Sequence, residues 1–197
     1  MIGTIQTINV PFHADRFAGS ELIVIREGFL VQIRHERELD TAGVRAVNEA
    51  AFETATEAKL VVALREQARP VISLVADDEG VIVGHIMFSP VVLEGHPELK
   101  IMGLAPMAVL PERQRKGIGS ALVRAGLEEC KKLGFGAVVV LGHPEYYPRF
   151  GFLPSARFCI GCEYEVPEDA FMVKELYPGY LLGATGTIKY HAAFYTV

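Results

Sequence analysis

Residues 109–130, VLPERQRKGIGSALVRAGLEEC, place Gly117 and Gly119 between a strand-like run and a helical one. That junction constrains the fold more than any other stretch, because a strand feeding a helix through a glycine turn is a β–α unit. The first N–H groups of a helix have no partner within it, and the helix dipole adds roughly half a positive charge there. Glycine lets an anion approach the backbone without a Cβ in the way. Arg113, Arg115 and Lys116 add cations beside it. Two common phosphate loops do not fit. A P-loop needs lysine after its last glycine, where Ser120 stands, and a dinucleotide fingerprint needs a small residue where Leu122 stands.

The flanking pattern extends the β–α unit into an α/β chain with a mixed sheet. VQIRHE (31–36) reads as a strand, and Asp40 as the cap of a helix with Val44, Val47 and Ala51 on one face. Thr54 and Glu57 have capping-box spacing for a second helix with Leu60, Val61, Leu64 and Ala68 on its face, ended by Pro70. VISLVA and VIVGHIMF flank the turn DDEG as a hairpin. KIMGLAPMAVL is a strand in which Pro106 removes a ladder donor, so a bulge or splay is expected. The helix after the glycine corner runs to about Leu133, with Ile118, Ala121, Leu122, Ala125 and Leu133 on one face. Glu129 falls on that face too, with nothing in the sequence to explain it. Gly134 closes that helix, and AVVVL reads as a buried strand. HPEYYPRFGF has room for little more than one helical turn, and EYEVPEDAFMVKEL and TGTIKYHAAF supply further strands. Residues 1–29 read as an appended strand or arm, and residues 30–197 as one domain.

Composition narrows the function classes. The net charge of −5 argues against a nucleic-acid partner, whose footprint is usually basic. No apolar run approaches the about 18 residues of a membrane span, and no signal-peptide layout opens the chain. A soluble, cytoplasmic protein is the expectation. Cys159 and Cys162 have metal-ligand spacing, but no second pair completes a site. Two half-buried thiols and no metal are expected.

Gln114-x-x-Gly117-x-Gly119, set between the proline-broken strand and an amphipathic helix, resembles the diphosphate motif of the GNAT N-acetyltransferase superfamily. LGHPEYYPRFGF further resembles a bacterial subgroup of small GNAT acetyltransferases. The likeness covers residues 30–197 and implies a GNAT-like mixed, splayed β-sheet flanked by helices, with acetyl-CoA as cosubstrate. It implies that the backbone of Gln114, Arg115, Lys116, Gly117, Ile118, Gly119 and Ser120 grips the CoA diphosphate, with charge from Arg115 and Lys116. Arg113 would make an outer phosphate contact or face solvent. Met107, Ala108 and Val109 match the stretch along which pantetheine lies, one N–H pointing at the thioester oxygen. Tyr147 is implied as general acid for the leaving thiolate, with Tyr146 as the neighbour that could be confused with it, or else as a packing aromatic.

The base stays open among His143, Glu145 and water, and His143 before a proline also reads as a turn residue. Many relatives carry asparagine near the end of that strand, where Gly142–His143 stands here. His85 reads as a satisfied core residue. VNEAAF (47–52) maps to a wall of the acceptor pocket, where Glu49 and Glu53 could meet a cationic amine or be solvated helix charges. The reading is an acetyl-CoA-dependent N-acetyltransferase acting on a primary amine of a small molecule or protein. The apolar C-terminal strands could serve a homodimer. The alternative is a non-catalytic sensor that binds CoA or acyl-CoA.

Overall fold

A computed structural model describes residues 20–25 and 29–196. The order is β1 (Ser20–Ile25), β2 (Phe29–His35), α1 (Thr41–Ala51), α2 (Thr56–Gln67), β3 (Ile72–Asp78), β4 (Val81–Leu93) and β5 (His96–Val109). There follow α3 (Ile118–Lys132), β6 (Ala137–Leu141), β7 (Leu153–Pro154), β8 (Ile160–Cys162), β9 (Phe171–Glu175) and β10 (Gly186–Lys189). The strands form one sheet in the order β1-β2-β3-β4-β5-β6-β9-β7, with β10 pairing with β4 and β8. Only β5–β6 and β8–β10 pair parallel among the described residues. The β5–β6 pair needs a crossover, which α3 supplies. The mixed, splayed sheet flanked by helices is thus the observed architecture.

The splay has a local cause. β5 pairs with β6 only from Ile101↔Ala137 to Leu104↔Val140. The β4–β5 register shifts between Phe88↔Leu104 and Ile86↔Met107, so Ala105 and Pro106 together stand opposite Met87. Pro106 has no N–H to donate, and this bulge turns β5 away from β6.

Alternation along the strands sorts the core onto two faces. Ile86, Phe88, Met102, Leu104, Val138 and Val140 pack with Ile118 and Leu122 of α3. Gly126 makes that contact close, because a Cβ there would overlap the Phe88 ring. The opposite face carries Val75, Met87 and Ala108 under α1 and α2. Further along the same face, Val91, Ile101, Val139 and Val173 lie under the C-terminal segment of Leu181, Ile188 and Tyr190. Phe194 packs against both groups.

Several local expectations give way to longer-range partners. Asp40 does not cap α1 with its side chain. Its carboxylate instead accepts from Arg37 N at 2.7 Å and from both terminal nitrogens of Arg34 at 2.5 and 2.8 Å. Arg34 also reaches Asp77 at 2.9 Å, and this buried pairing holds the Asp40 carboxyl below its ordinary range. α2 begins at Thr56 rather than Thr54, whose hydroxyl accepts from Thr56 N at 3.3 Å. Leu133 lies past the helix and is 52% exposed, so it leaves the predicted face. Glu129 has an account: Lys132 Nζ donates to it at 2.7 Å and His35 Nε2 stands 3.3 Å away. Strand begins only at Phe171 in EYEVPEDAFMVKEL, and TGTIKYHAAF ends in a 3-10 turn over Ala192–Tyr195. Cys159 is exposed rather than half-buried, and Cys162 is intermediate.

Candidate active site

The chain leaves β5 through a 3-10 turn, Pro111–Arg113. Gln114 Nε2 then donates back to Val109 O at 3.1 Å and closes the loop. Arg115 (φ 61°) and Gly117 (φ 92°) adopt left-handed backbone, which curls successive N–H groups into an anion-binding concavity. α3 starts at Ile118 with no side-chain cap and no acid in its first turn. Its first intrahelical bond is Ala121 N to Gly117 O at 3.0 Å, so the amides of Ile118, Gly119 and Ser120 have no partner within the helix. Gly119 lets Tyr146 approach, since a Cβ there would stand 2.9 Å from Tyr146 Oη. Arg115 and Lys116 are exposed beside the loop. Arg113 pairs with Asp78 at 2.8 Å and ties the corner to the β3–β4 turn.

Met107, Ala108 and Val109 lie on β5 just past the bulge, opposite Ile86, His85 and Gly84 of β4. One edge of this stretch is bonded to β4. The other faces the gap, because β6 stops pairing at Leu104.

On the far arm, β6 ends at Leu141 and Gly142 N donates to Ala170 O at 2.9 Å. The His143 carbonyl accepts from Tyr146 N at 3.0 Å and Tyr147 N at 3.4 Å, which folds the two tyrosines back over the strand end. Their environments differ. Tyr147 is buried, its ring against Gly142 and edge-on to Tyr146 (5.1 Å) and Phe152 (5.6 Å). Burial raises its phenol above the ordinary range, so it is protonated at neutral pH. Tyr146 is half-buried, stacks under Arg149 at 4.7 Å, and holds its hydroxyl 3.5 Å from Ser120 Oγ at the anion corner. Gly142 has a reason visible here: a side chain at this position would overlap the Tyr147 ring. The side chains of His143 and Glu145 are exposed.

His85 is fully buried and satisfied, with Asn48 Nδ2 3.1 Å from Nδ1 and Ser73 Oγ 2.9 Å from Nε2. Ser73 donates on to Glu36 at 2.5 Å, which Arg65 meets at 2.5 Å. Burial, with the Arg65 charge adding to it, lowers the His85 pKa to about 3. Glu49 pairs with Arg45 at 2.8 Å on the exposed side of α1, and Glu53 is exposed, so both fit solvated helix charges. Sequence reasoning passed over Asn48 and Ser89, which are fully buried with Asn48 Oδ1 and Ser89 Oγ unpaired. The available signal was a polar residue on an otherwise apolar face.

A loop of uncapped amides and a strand edge open to a gap can hold a phosphorylated thioester, and a buried phenol folded back over the end of β6 can donate a proton. Comparison with known proteins bears on the family and the fold. A profile described as "Acetyltransferase (GNAT) family" matches residues 36–152. The uncharacterized N-acetyltransferase YhbS of Escherichia coli K12 is 40% identical over 163 residues, 82% of this chain and 97% of its own. The uncharacterized N-acetyltransferase YjhQ of Escherichia coli K12 is 42% identical over 138 residues, covering 66% of this chain and 74% of its own. Among solved structures, Escherichia coli YhbS in complex with CoA superposes with TM-score 0.80 at 36% identity, over 93% of this chain and 96% of that one. A Brucella melitensis GNAT acetyltransferase in complex with acetyl-CoA gives TM-score 0.69 at 38% identity, over 83% and 97%.

Proposed function

The chain belongs to the acetyltransferase (GNAT) family, and on that premise we propose that it moves the acetyl group of acetyl-CoA to a primary amine of a small molecule or protein by direct attack on the thioester. The observation that carries this is the uncapped, glycine-shaped start of α3 at the end of a strand that splays from its neighbour. The CoA complex of YhbS supports it.

Acetyl-CoA, when bound, supplies an acyl carbon activated by a thiol leaving group. The backbone of Gln114 through Ser120 holds the diphosphate, with Arg115 and Lys116 adding charge. The open edge of Met107, Ala108 and Val109 aligns pantetheine, and one of their N–H groups donates to the thioester oxygen as charge develops there. The amine nitrogen forms the new bond to the acyl carbon as the C–S bond breaks. Tyr147 gives its proton to the departing sulfur and regains one from solvent. The proton lost by the amine leaves through His143, whose exposed ring opens to bulk water, or directly to water. The reading keeps the protein in the cytoplasm. A homodimer through the C-terminal strands belongs to it as well, supported by the exposed Leu153 on β7, which ends the main strand path.

Calorimetry with CoA, followed by CoA-thiol release over a panel of primary amines, tests the proposal. Heat of binding and thiol release are expected. No binding overturns the diphosphate site, and binding without thiol release for any amine makes the protein a CoA sensor.

A further inference from the structure

Arg34, Arg45, Arg65 and Arg113 each meet a carboxylate. Arg124 and Arg149 meet aromatic faces instead, and neither has a carboxylate partner among the described residues. The Arg149 guanidinium lies 4.7 Å from the centre of the Tyr146 ring, and that of Arg124 lies 5.5 Å from the centre of Phe150. The two rings touch each other at 5.3 Å. Phe150 is buried in the core beneath α3, and Tyr146 packs against its rim. A ring face holds a guanidinium without using its N–H groups. Arg149 Nη2 spends one donor on Glu145 O at 3.3 Å. Both side chains are exposed, so the other donors are open to a ligand.

This aromatic shelf adjoins the anion corner. Tyr146 Oη stands 3.5 Å from Ser120 Oγ at the start of α3. Arg124 follows Ser120 by four residues, which places it on the same side of the helix and about 6 Å along it. The uncapped amides, with Arg115 and Lys116 in the loop before them, serve the diphosphate. The shelf is then a second cationic place, one helical turn further on. CoA has a group for it: the ribose carries a phosphate monoester one sugar away from the diphosphate. Such a monoester is close to doubly charged at neutral pH.

We infer that Arg124 and Arg149, held on Phe150 and Tyr146, bind the ribose 3′-phosphate of the coenzyme and make the protein prefer CoA to dephospho-CoA. This rests on the acetyl-CoA reading above. A guanidinium fork meets phosphate oxygens in pairs. The rings fix both side chains before the coenzyme arrives, so less rotamer freedom is lost on binding.

Calorimetry with CoA and with dephospho-CoA tests this on the wild type, Arg124→Gln, Arg149→Gln and Arg115→Gln. The wild type is expected to bind CoA about tenfold more tightly than dephospho-CoA, the scale of a charge-assisted hydrogen bond. Arg124→Gln and Arg149→Gln are each expected to weaken CoA and to leave the dephospho-CoA affinity and Tm unchanged. Arg115→Gln is expected to weaken both ligands alike, because it serves the diphosphate. Equal affinity of the wild type for the two ligands overturns the inference, and so does a preference that survives in both glutamine variants of the shelf. A preference lost in Arg115→Gln alone puts the monoester on the loop and overturns it too. Should a shelf variant fail to fold, its lysine counterpart takes its place, keeping the charge without the fork. That variant is expected to reduce the preference, and an undiminished one counts against the shelf. Failure of the wild type to bind either ligand instead removes the acetyl-CoA reading itself.

Discussion

At the residue scale, adjacent tyrosines of similar sequence context have opposite surroundings. Tyr147 is enclosed against Gly142 while Tyr146 reaches Ser120 at the anion corner. Removing a general acid typically costs 10²-fold or more, so Tyr147→Phe is expected to lower kcat by about that factor while CoA affinity holds. An unchanged kcat at neutral pH removes the role. The string LGHPEYYPRFGF made the tyrosine pair legible, but which ring turns inward is decided by the bare Gly142 and by Phe152, and spacing carries no such information. His85 supplies a second prediction. Unfolded histidine takes up a proton below about pH 6.5, whereas buried His85 does not until about 3. Between these values the unfolded state binds more protons, so stability is complete above the upper value and declines as pH falls through the window. Tm is expected to drop from pH 7 to pH 5, and His85→Gln to flatten that slope. An equal slope in both proteins contradicts the buried neutral ring.

At the element scale, the periodicity of the sequence located α3 and its inner face, because Ile118, Ala121, Leu122 and Ala125 recur at helical spacing and all are buried. What periodicity could not show is how closely α3 approaches the sheet. Gly126 allows the Phe88 ring to sit where a side chain would begin. Gly126→Val is therefore expected to destabilise by about 2–3 kcal/mol, as overpacked cores do, and to weaken CoA binding by displacing the helix start. Denaturant unfolding checks the first, and an unchanged midpoint refutes the close contact. Element ends were the least legible part. Asp40 and Thr54 look like helix caps locally, but Asp40 is taken by Arg34 from a strand and Thr54 stands two residues before its helix. Partners distant in sequence outcompeted the local rule.

At the scale of the whole molecule, Pro106 announced the break in β5, and the sheet does part there. The pairing of β10 with β4 and the lodging of Phe194 between two core regions were not legible, since both depend on a segment about a hundred residues away in the chain. The parting leaves the amides of Ala105, Met107, Ala108 and Val109 bordered by β4 alone. Deuterium uptake at the amides of this stretch that point into the gap is expected to be fast in the free protein and to slow on addition of CoA. Slowing confined to the Arg115–Ser120 loop would mean that pantetheine does not run along β5. If pantetheine runs along this edge as proposed, a seam of this kind gives the coenzyme a second office as the missing rung of the sheet. The protein's resistance to proteolysis and to strand-mediated aggregation should then rise and fall with the coenzyme supply around it.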